Sequence, residues 1–171
     1  MTDTAAKKVA VIIPTLGRNA CVRQTLQDLS QQSYRDFEIW LVDQNQPWLT
    51  ELGAHVGDVK FFHEKTKPLG SHGGRNHAIF KTTAPICIFV DDDVRLDSEF
   101  IASHVSHLED NSRTAAVVGR VVQPKDGFTE NQMRELGKPA LYNRWTGLVS
   151  GNFIGERSSS IAHIHECNFS A

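Results

Sequence analysis

The chain has 171 residues, 40% of them apolar and 22% charged, and its 18 Lys and Arg against 20 Asp and Glu leave a formal charge of −2. This composition excludes a disordered chain and a disulfide-stapled miniprotein. The near-neutral balance, with no cluster of five basic side chains, excludes a polyanion-binding field and so nucleic acid as a partner.

A chain of this length buries about 68–70% of its unfolded surface, so neither a metal nor a disulfide is needed merely to fold. Any metal would therefore serve chemistry. No apolar run reaches about 18 residues, and residues 1–8 are polar and lack the apolar stretch of a signal peptide. The expectation is a cytoplasmic protein without a transmembrane segment, compatible with peripheral association at a membrane. Cys21, Cys87 and Cys167 are odd in number and far apart, which points to reduced thiols.

In chain order, residues 9–13 (Val-Ala-Val-Ile-Ile) open the chain as a continuous apolar run. Val22, Leu26 and Leu29 follow at i, i+4 and i+7, the spacing of one helix face. Residues 37–42 and 59–62 are further apolar runs, and Gly70 to Gly74 reads as a tight turn into a helix whose first amides favour anions. Residues 86–90 make a fourth run. Ile101, Val105 and Leu108 then repeat with helical spacing, with Asp97 or Ser98 available as an N-cap. Residues 115–122 predict a fifth strand and 161–164 another, while the glycine- and proline-rich 123–160 reads as loops of the kind that form lids or binding segments.

The strand-forming runs are continuous rather than alternating, as expected of parallel strands covered on both faces. Strand alternating with helix predicts an α/β fold: a doubly wound, mostly parallel, Rossmann-like sheet with helices on both faces. Ligands of such sheets lie outside the carboxyl ends of the strands. There the sequence places Pro14, Thr15, Leu16, Gly17 and Arg18 after the first run, Asp43, Gln44, Asn45 and Gln46 after the second, and Asp91, Asp92 and Asp93 after the fourth.

Three adjacent carboxylates at the end of a buried strand repel one another in a poorly screened setting, and a divalent cation is the natural offset. Side chains alternate along extended backbone, so Asp91 and Asp93 share a side while Asp92 points away. A small set of hard oxygen ligands suits Mg²⁺ or Mn²⁺, which keep positions open for phosphate oxygens. The zinc alternative at His163, His165 and Cys167 is weak, because alternate residues of a strand place only one or two ligands on a face.

The runs Val-Ile-Ile-Pro-Thr-Leu-Gly-Arg (11–18), Phe-Glu-Ile-Trp-Leu-Val-Asp (37–43), Gly-Gly-Arg-Asn-His-Ala-Ile (73–79) and Phe-Val-Asp-Asp-Asp-Val (89–94) resemble, in order and spacing, the motifs of family 2 glycosyltransferases with a GT-A fold. Glu166 to Ser170 is similar to that family's acceptor-side motif. The resemblance implies a single domain over 1–171, with 9–110 as the nucleotide-sugar-binding half and 111–171 as the start of an acceptor-side half that continues beyond the chain. It implies an inverting, metal-dependent glycosyltransferase that takes a nucleoside-diphosphate sugar, UDP-sugar favoured, to a carbohydrate or lipid-linked acceptor.

By the same resemblance Asp43 accepts a hydrogen bond from the nucleotide base, with Pro14 and Thr15 framing that base. Gly74 lies at the phosphates, with Arg75 nearby as a cation for phosphate or a partner for the carboxylates. Asp91 binds the ribose or, with Asp93, the metal of a DxD motif, and Asp92 is an alternative ligand. The base that takes the acceptor proton is expected downstream of Ala171. A sugar-1-phosphate nucleotidyltransferase fits less well, since Pro14 to Arg18 holds only one glycine where that class has a glycine-rich loop. A non-catalytic nucleotide-sugar-binding domain is the remaining alternative.

Overall fold

A computed structural model describes residues 7–110, 112–121 and 168–171. One sheet contains β1 (Val9–Thr15), β2 (Phe37–Asp43), β3 (Lys60–Lys65), β4 (Ile86–Val90), β5 (Val117–Val118) and β6 (Asn168–Ser170), in the spatial order β3-β2-β1-β4-β6-β5. β1 pairs in parallel with β2 and β4, and β2 pairs in parallel with β3; β6 runs antiparallel between β4 and β5. The helices are α1 (Asn19–Ser30), α2 (Gly70–Ile79) and α3 (Phe100–Glu109).

The continuous apolar runs have a direct cause. Val9, Val11, Ile13, Ile39, Leu41, Ile88 and Val90 point to one face, where Val22, Leu26 and Leu29 of α1 and Phe100, Ile101 and Val105 of α3 cover them. Ala10, Ile12, Trp40, Val42 and Phe89 point to the other, where Ala78 of α2 joins them. Both faces are buried, so apolar residues occupy both parities, and the few buried polar ones, such as Glu38, are held by partners. The doubly wound, mostly parallel α/β sheet read from the sequence is the observed one.

Four details depart from that reading. The third strand is Lys60–Lys65 rather than 59–62 and is half-exposed, because it is the sheet's edge. Its polar residues belong to the strand: the Lys60 amine lies 3.0 Å from Glu38 and 4.9 Å over the Phe62 ring. The fifth strand shrinks from 115–122 to Val117–Val118. β6, only three residues long, was not expected as a strand, since so short a segment carries no period of its own. Phe169 holds it in place by stacking on Phe89 with centroids 4.4 Å apart. Neither Asp97 nor Ser98 is the N-cap of α3; that position is Glu99, and Asp97 instead accepts the Glu99 N–H at 2.9 Å in a turn before the helix. The expected strand at 161–164 lies outside the described residues.

Candidate active site

The register of the sheet delivers the strand ends to one rim. Thr15 pairs with Asp43 at the end of β1 and β2, and the aspartate triplet follows directly on β4. Asp92 turns back under β1, where the Thr15 hydroxyl donates to its Oδ2 at 2.7 Å. Gly17, at φ +77°, turns the chain after β1 through a conformation that favours glycine. Arg18, the next residue, places Nη1 2.9 Å from Asp92 Oδ1 and 2.9 Å from Asp93 Oδ2. From α2, buried Arg75 donates through Nη2 to Asp91 Oδ1 at 2.9 Å, and its guanidinium lies 5.8 Å over the Phe169 ring. Below the triplet, the Thr25 hydroxyl of α1 donates to the Val94 carbonyl at 2.9 Å, and Asp28 accepts from the Arg95 Nε at 2.7 Å, so the loop beyond the triplet is tied to the helix.

Two guanidiniums therefore stand against three carboxylates, and −3 + 2 leaves a net charge near −1. The offset assigned from the sequence to a metal is shared by Arg75, whose sequence position also allowed a partnership with the carboxylates, and by Arg18, which sequence reasoning did not pair with the triplet. Burial pushes the Asp91 carboxyl above the ordinary range; Arg75 pulls it back in part, and the charges on Asp93 and Asp92 push it up further.

The donor set fits a divalent cation of restricted kind. Among the described residues no group of three or more His, Cys, Asp or Glu side chains is placed to hold a metal ion. Asp91 and Asp93, however, have side chains 33% and 42% exposed, whereas that of Asp92 is 5% exposed. Two accessible hard carboxylates suit Mg²⁺ or Mn²⁺ completing its shell with water and phosphate oxygens. His163, His165 and Cys167 lie outside the described residues.

Asp43 occupies the same rim but not its surface. It is 0% exposed, and its oxygens accept from the Asn45 N–H at 2.9 Å, the Asn45 side-chain amide at 2.7 Å and the Leu49 N–H at 2.7 Å, with His63 Nε2 at 2.8 Å. Burial alone would raise this carboxyl, yet these hydrogen bonds outweigh it and hold the group below its ordinary range. A base N–H reaches Asp43 only by displacing one of these donors. The Thr15 hydroxyl is likewise engaged, on Asp92. In this structure both residues organise the rim from beneath.

A cleft of about 360 Å³ opens above them, lined by Pro14, Leu16, Gln44, Ser71, Asp91 and Asp92 among others. Gln44, whose Oε1 accepts the Leu69 N–H at 2.6 Å, fixes the start of α2 against the end of β2, with Gly70 and Ser71 at the cleft wall. Gly74 works from behind rather than at the cleft. A Cβ there would stand 2.9 Å from the Pro14 Cβ and 3.2 Å from Gln44 Nε2, so glycine lets α2 lie against the strand ends. Gly74→Ala is expected to lower stability by about 1–3 kcal/mol, because the proline ring cannot swing aside. A thermal melt within 1 °C of wild type would show that α2 has room to shift.

Comparison with known proteins gives this geometry relatives. A family model described as Glycosyl transferase family 2 matches residues 10–166. The GalNAc(5)-diNAcBac-PP-undecaprenol beta-1,3-glucosyltransferase of Campylobacter jejuni is 25% identical over 125 residues, covering 70% of this chain and 40% of that protein. The mannosyltransferase PcManGT from Pyrobaculum calidifontis, solved with GDP-Man and Mn²⁺, superposes with a TM-score of 0.57 at 24% identity, over 77% of this chain and 39% of its own. S. aureus TarS 1-349 in complex with UDP-GlcNAc superposes with a TM-score of 0.63 at 18% identity, over 79% of this chain and 40% of its own. The fold is thus GT-A-like, and the chain spans about 40% of the length of the relatives it matches.

Proposed function

The chain belongs to glycosyl transferase family 2, and from that premise we propose that it binds a nucleoside-diphosphate sugar in the rim cleft and serves its metal-dependent, inverting transfer to an acceptor hydroxyl. The observation that carries this reading is that Asp91, Asp92 and Arg18 line one cleft beside the start of α2, with Asp93 and Arg75 ion-paired to this group. Asp91 and Asp93 would hold Mg²⁺ or Mn²⁺. When bound there, the cation supplies Lewis-acid stabilisation to the charge that grows on the leaving diphosphate.

The chain's own residues do the positioning. Thr15 and Arg18 hold Asp92, and Arg18 reaches Asp93 through the same nitrogen, so the triplet turns after β4 instead of alternating along extended backbone as the sequence suggested. Arg75 orients Asp91 from beneath. The opening amides of α2 give a favourable setting for phosphate oxygens, and Pro14 and Gln44 wall the cleft where the base would lie. Asp43 fixes the loop that follows Gln44 of that wall, through the Asn45 and Leu49 N–H groups.

The donor is proposed to be a UDP-sugar, in keeping with the UDP-GlcNAc in one structural neighbour, though the GDP-Man in another keeps guanosine as the comparison. A carbohydrate or lipid-linked acceptor is proposed from the undecaprenol-linked substrate in the name of the Campylobacter relative. Among the described residues no helix is long and apolar enough to cross a membrane, so a lipid-linked acceptor would be met at the membrane surface. The family match weighs against the nucleotidyltransferase alternative.

Thermal shift against UDP, GDP, CDP and dTDP, each with and without Mn²⁺, tests this reading. Ligand at 100 times its Kd stabilises by about 2.7 kcal/mol, which for a chain of this size raises Tm by about 5–10 °C. UDP with Mn²⁺ is expected to give the largest rise. If no nucleotide moves the transition with metal present, the reading fails.

A further inference from the structure

Arg18 occupies an unusual place for a half-exposed arginine. One nitrogen, Nη1, stands 2.9 Å from carboxylate oxygens of both Asp92 and Asp93, bridging them as a small cation would. The two partners are not equivalent. Asp92 is buried and its other oxygen is held by the Thr15 hydroxyl, so it stays where it is. Asp93 has a side chain 42% exposed, next to the cleft residue Asp92. Arg18 itself is 54% exposed and follows directly on the Gly17 turn, so the ion pair to Asp93 is a solvent-screened one that exchanges readily. Arg18 also lines the cleft.

We propose that Arg18 is a resident counter-cation of the aspartate cluster: it holds Asp93 while the cleft lacks donor and cedes it to the divalent cation when the diphosphate enters, keeping its pairing with Asp92 and offering its remaining N–H groups to the phosphate oxygens. The inference rests on the metal-dependent reading above and adds a residue to it. Its consequence is a change of sign. Toward the metal alone Arg18 is a competitor, since both cations seek the same carboxylate. Toward metal and diphosphate together it is a partner, since a displaced guanidinium gains charge-assisted hydrogen bonds to phosphate. Metal is thereby disfavoured in the absence of nucleotide and favoured with it.

Mn²⁺ binding without nucleotide, followed by the electron paramagnetic resonance signal of free Mn²⁺, is compared for wild type, Arg18→Gln and Arg18→Lys; UDP binding is then titrated at saturating Mn²⁺. Arg18→Gln is expected to bind Mn²⁺ alone about fivefold more tightly and UDP about fivefold more weakly. Arg18→Lys keeps the charge and is expected within about twofold of wild type for Mn²⁺ alone. Unchanged or weaker Mn²⁺ binding by Arg18→Gln, beside a wild type that does bind Mn²⁺, overturns the role of Arg18 and leaves the metal-dependent reading standing. Failure of wild type and both variants to bind Mn²⁺ even with UDP overturns that reading, and this inference with it.

Discussion

Asp43→Asn is expected to lower the stability of the protein by roughly 3–5 kcal/mol, since the amide replaces one acceptor oxygen with a donor among groups that are themselves donors. The Asn45 N–H, the Asn45 side-chain amide, the Leu49 N–H and His63 all converge on this carboxylate, which is 0% exposed. A buried donor without an acceptor carries its full desolvation penalty, and here more than one is left so. At roughly 2–4 °C per kcal/mol for a chain of this size, the melting temperature should fall by about 10 °C. An Asp43→Asn protein melting within 2 °C of wild type would mean that the loop after β2 does not depend on this residue.

The same group sets a pH dependence. Its carboxyl is held below the ordinary range in the folded protein. A depressed folded pKa contributes stability that is present above the unfolded value, about 3.9, and is lost as pH falls through the folded one. Wild type should therefore lose stability below about pH 4 more steeply than Asp43→Asn, which has no proton to take up there. Parallel acid-unfolding curves for the two proteins would contradict this. Asp91 behaves oppositely: burial raises its carboxyl, so it takes up a proton at higher pH than an ordinary carboxylate.

What the sequence made legible follows from the range of the interactions involved. The parallel core could be read because burial on two faces forces apolar residues at both parities of β1, β2 and β4. The aspartate triplet could be read because its repulsion is local to three consecutive residues. Asp43 was legible as a rim residue and not as a buried one. Its burial depends on the chain curling back so that Leu49, six positions on, donates to it, and on β3 bringing His63 alongside. Arg18 was quoted within its motif but not paired with the triplet, because that pairing spans 74 residues and depends on the turn at Gly17. Gly74 was read as a phosphate neighbour, whereas its missing side chain makes room for Pro14, a contact set by how closely α2 lies on the sheet. Contacts within a turn or along one strand show in the sequence. Those that depend on where a loop returns do not.

Asp93→Asn in the whole protein is expected to reduce donor-dependent glycosyl transfer by at least about 10³-fold. If Asp93 holds the metal as proposed, its loss removes several kcal/mol of charge stabilisation from the leaving diphosphate, and about 4 kcal/mol corresponds to that factor. The fold should tolerate the change, because the Asp93 side chain is 42% exposed and its ion pair to Arg18 is a surface pair. The melting temperature is therefore expected within about 2 °C of wild type, which separates this variant from Asp43→Asn, where stability is the first casualty. Nucleotide binding divides the roles further. Asp93→Asn should weaken UDP binding in the presence of Mn²⁺ and leave the metal-free component nearly unchanged, whereas loss of Asp43 should weaken both by deforming the cleft wall. Product formation from a radiolabelled UDP-sugar, the melts, and UDP titrations with and without Mn²⁺ check the three expectations. Transfer at wild-type rates by a well-folded Asp93→Asn protein would remove the metal from this carboxylate. A wild-type whole protein that binds UDP with Mn²⁺ yet transfers no sugar from any donor would instead favour the non-catalytic binding domain.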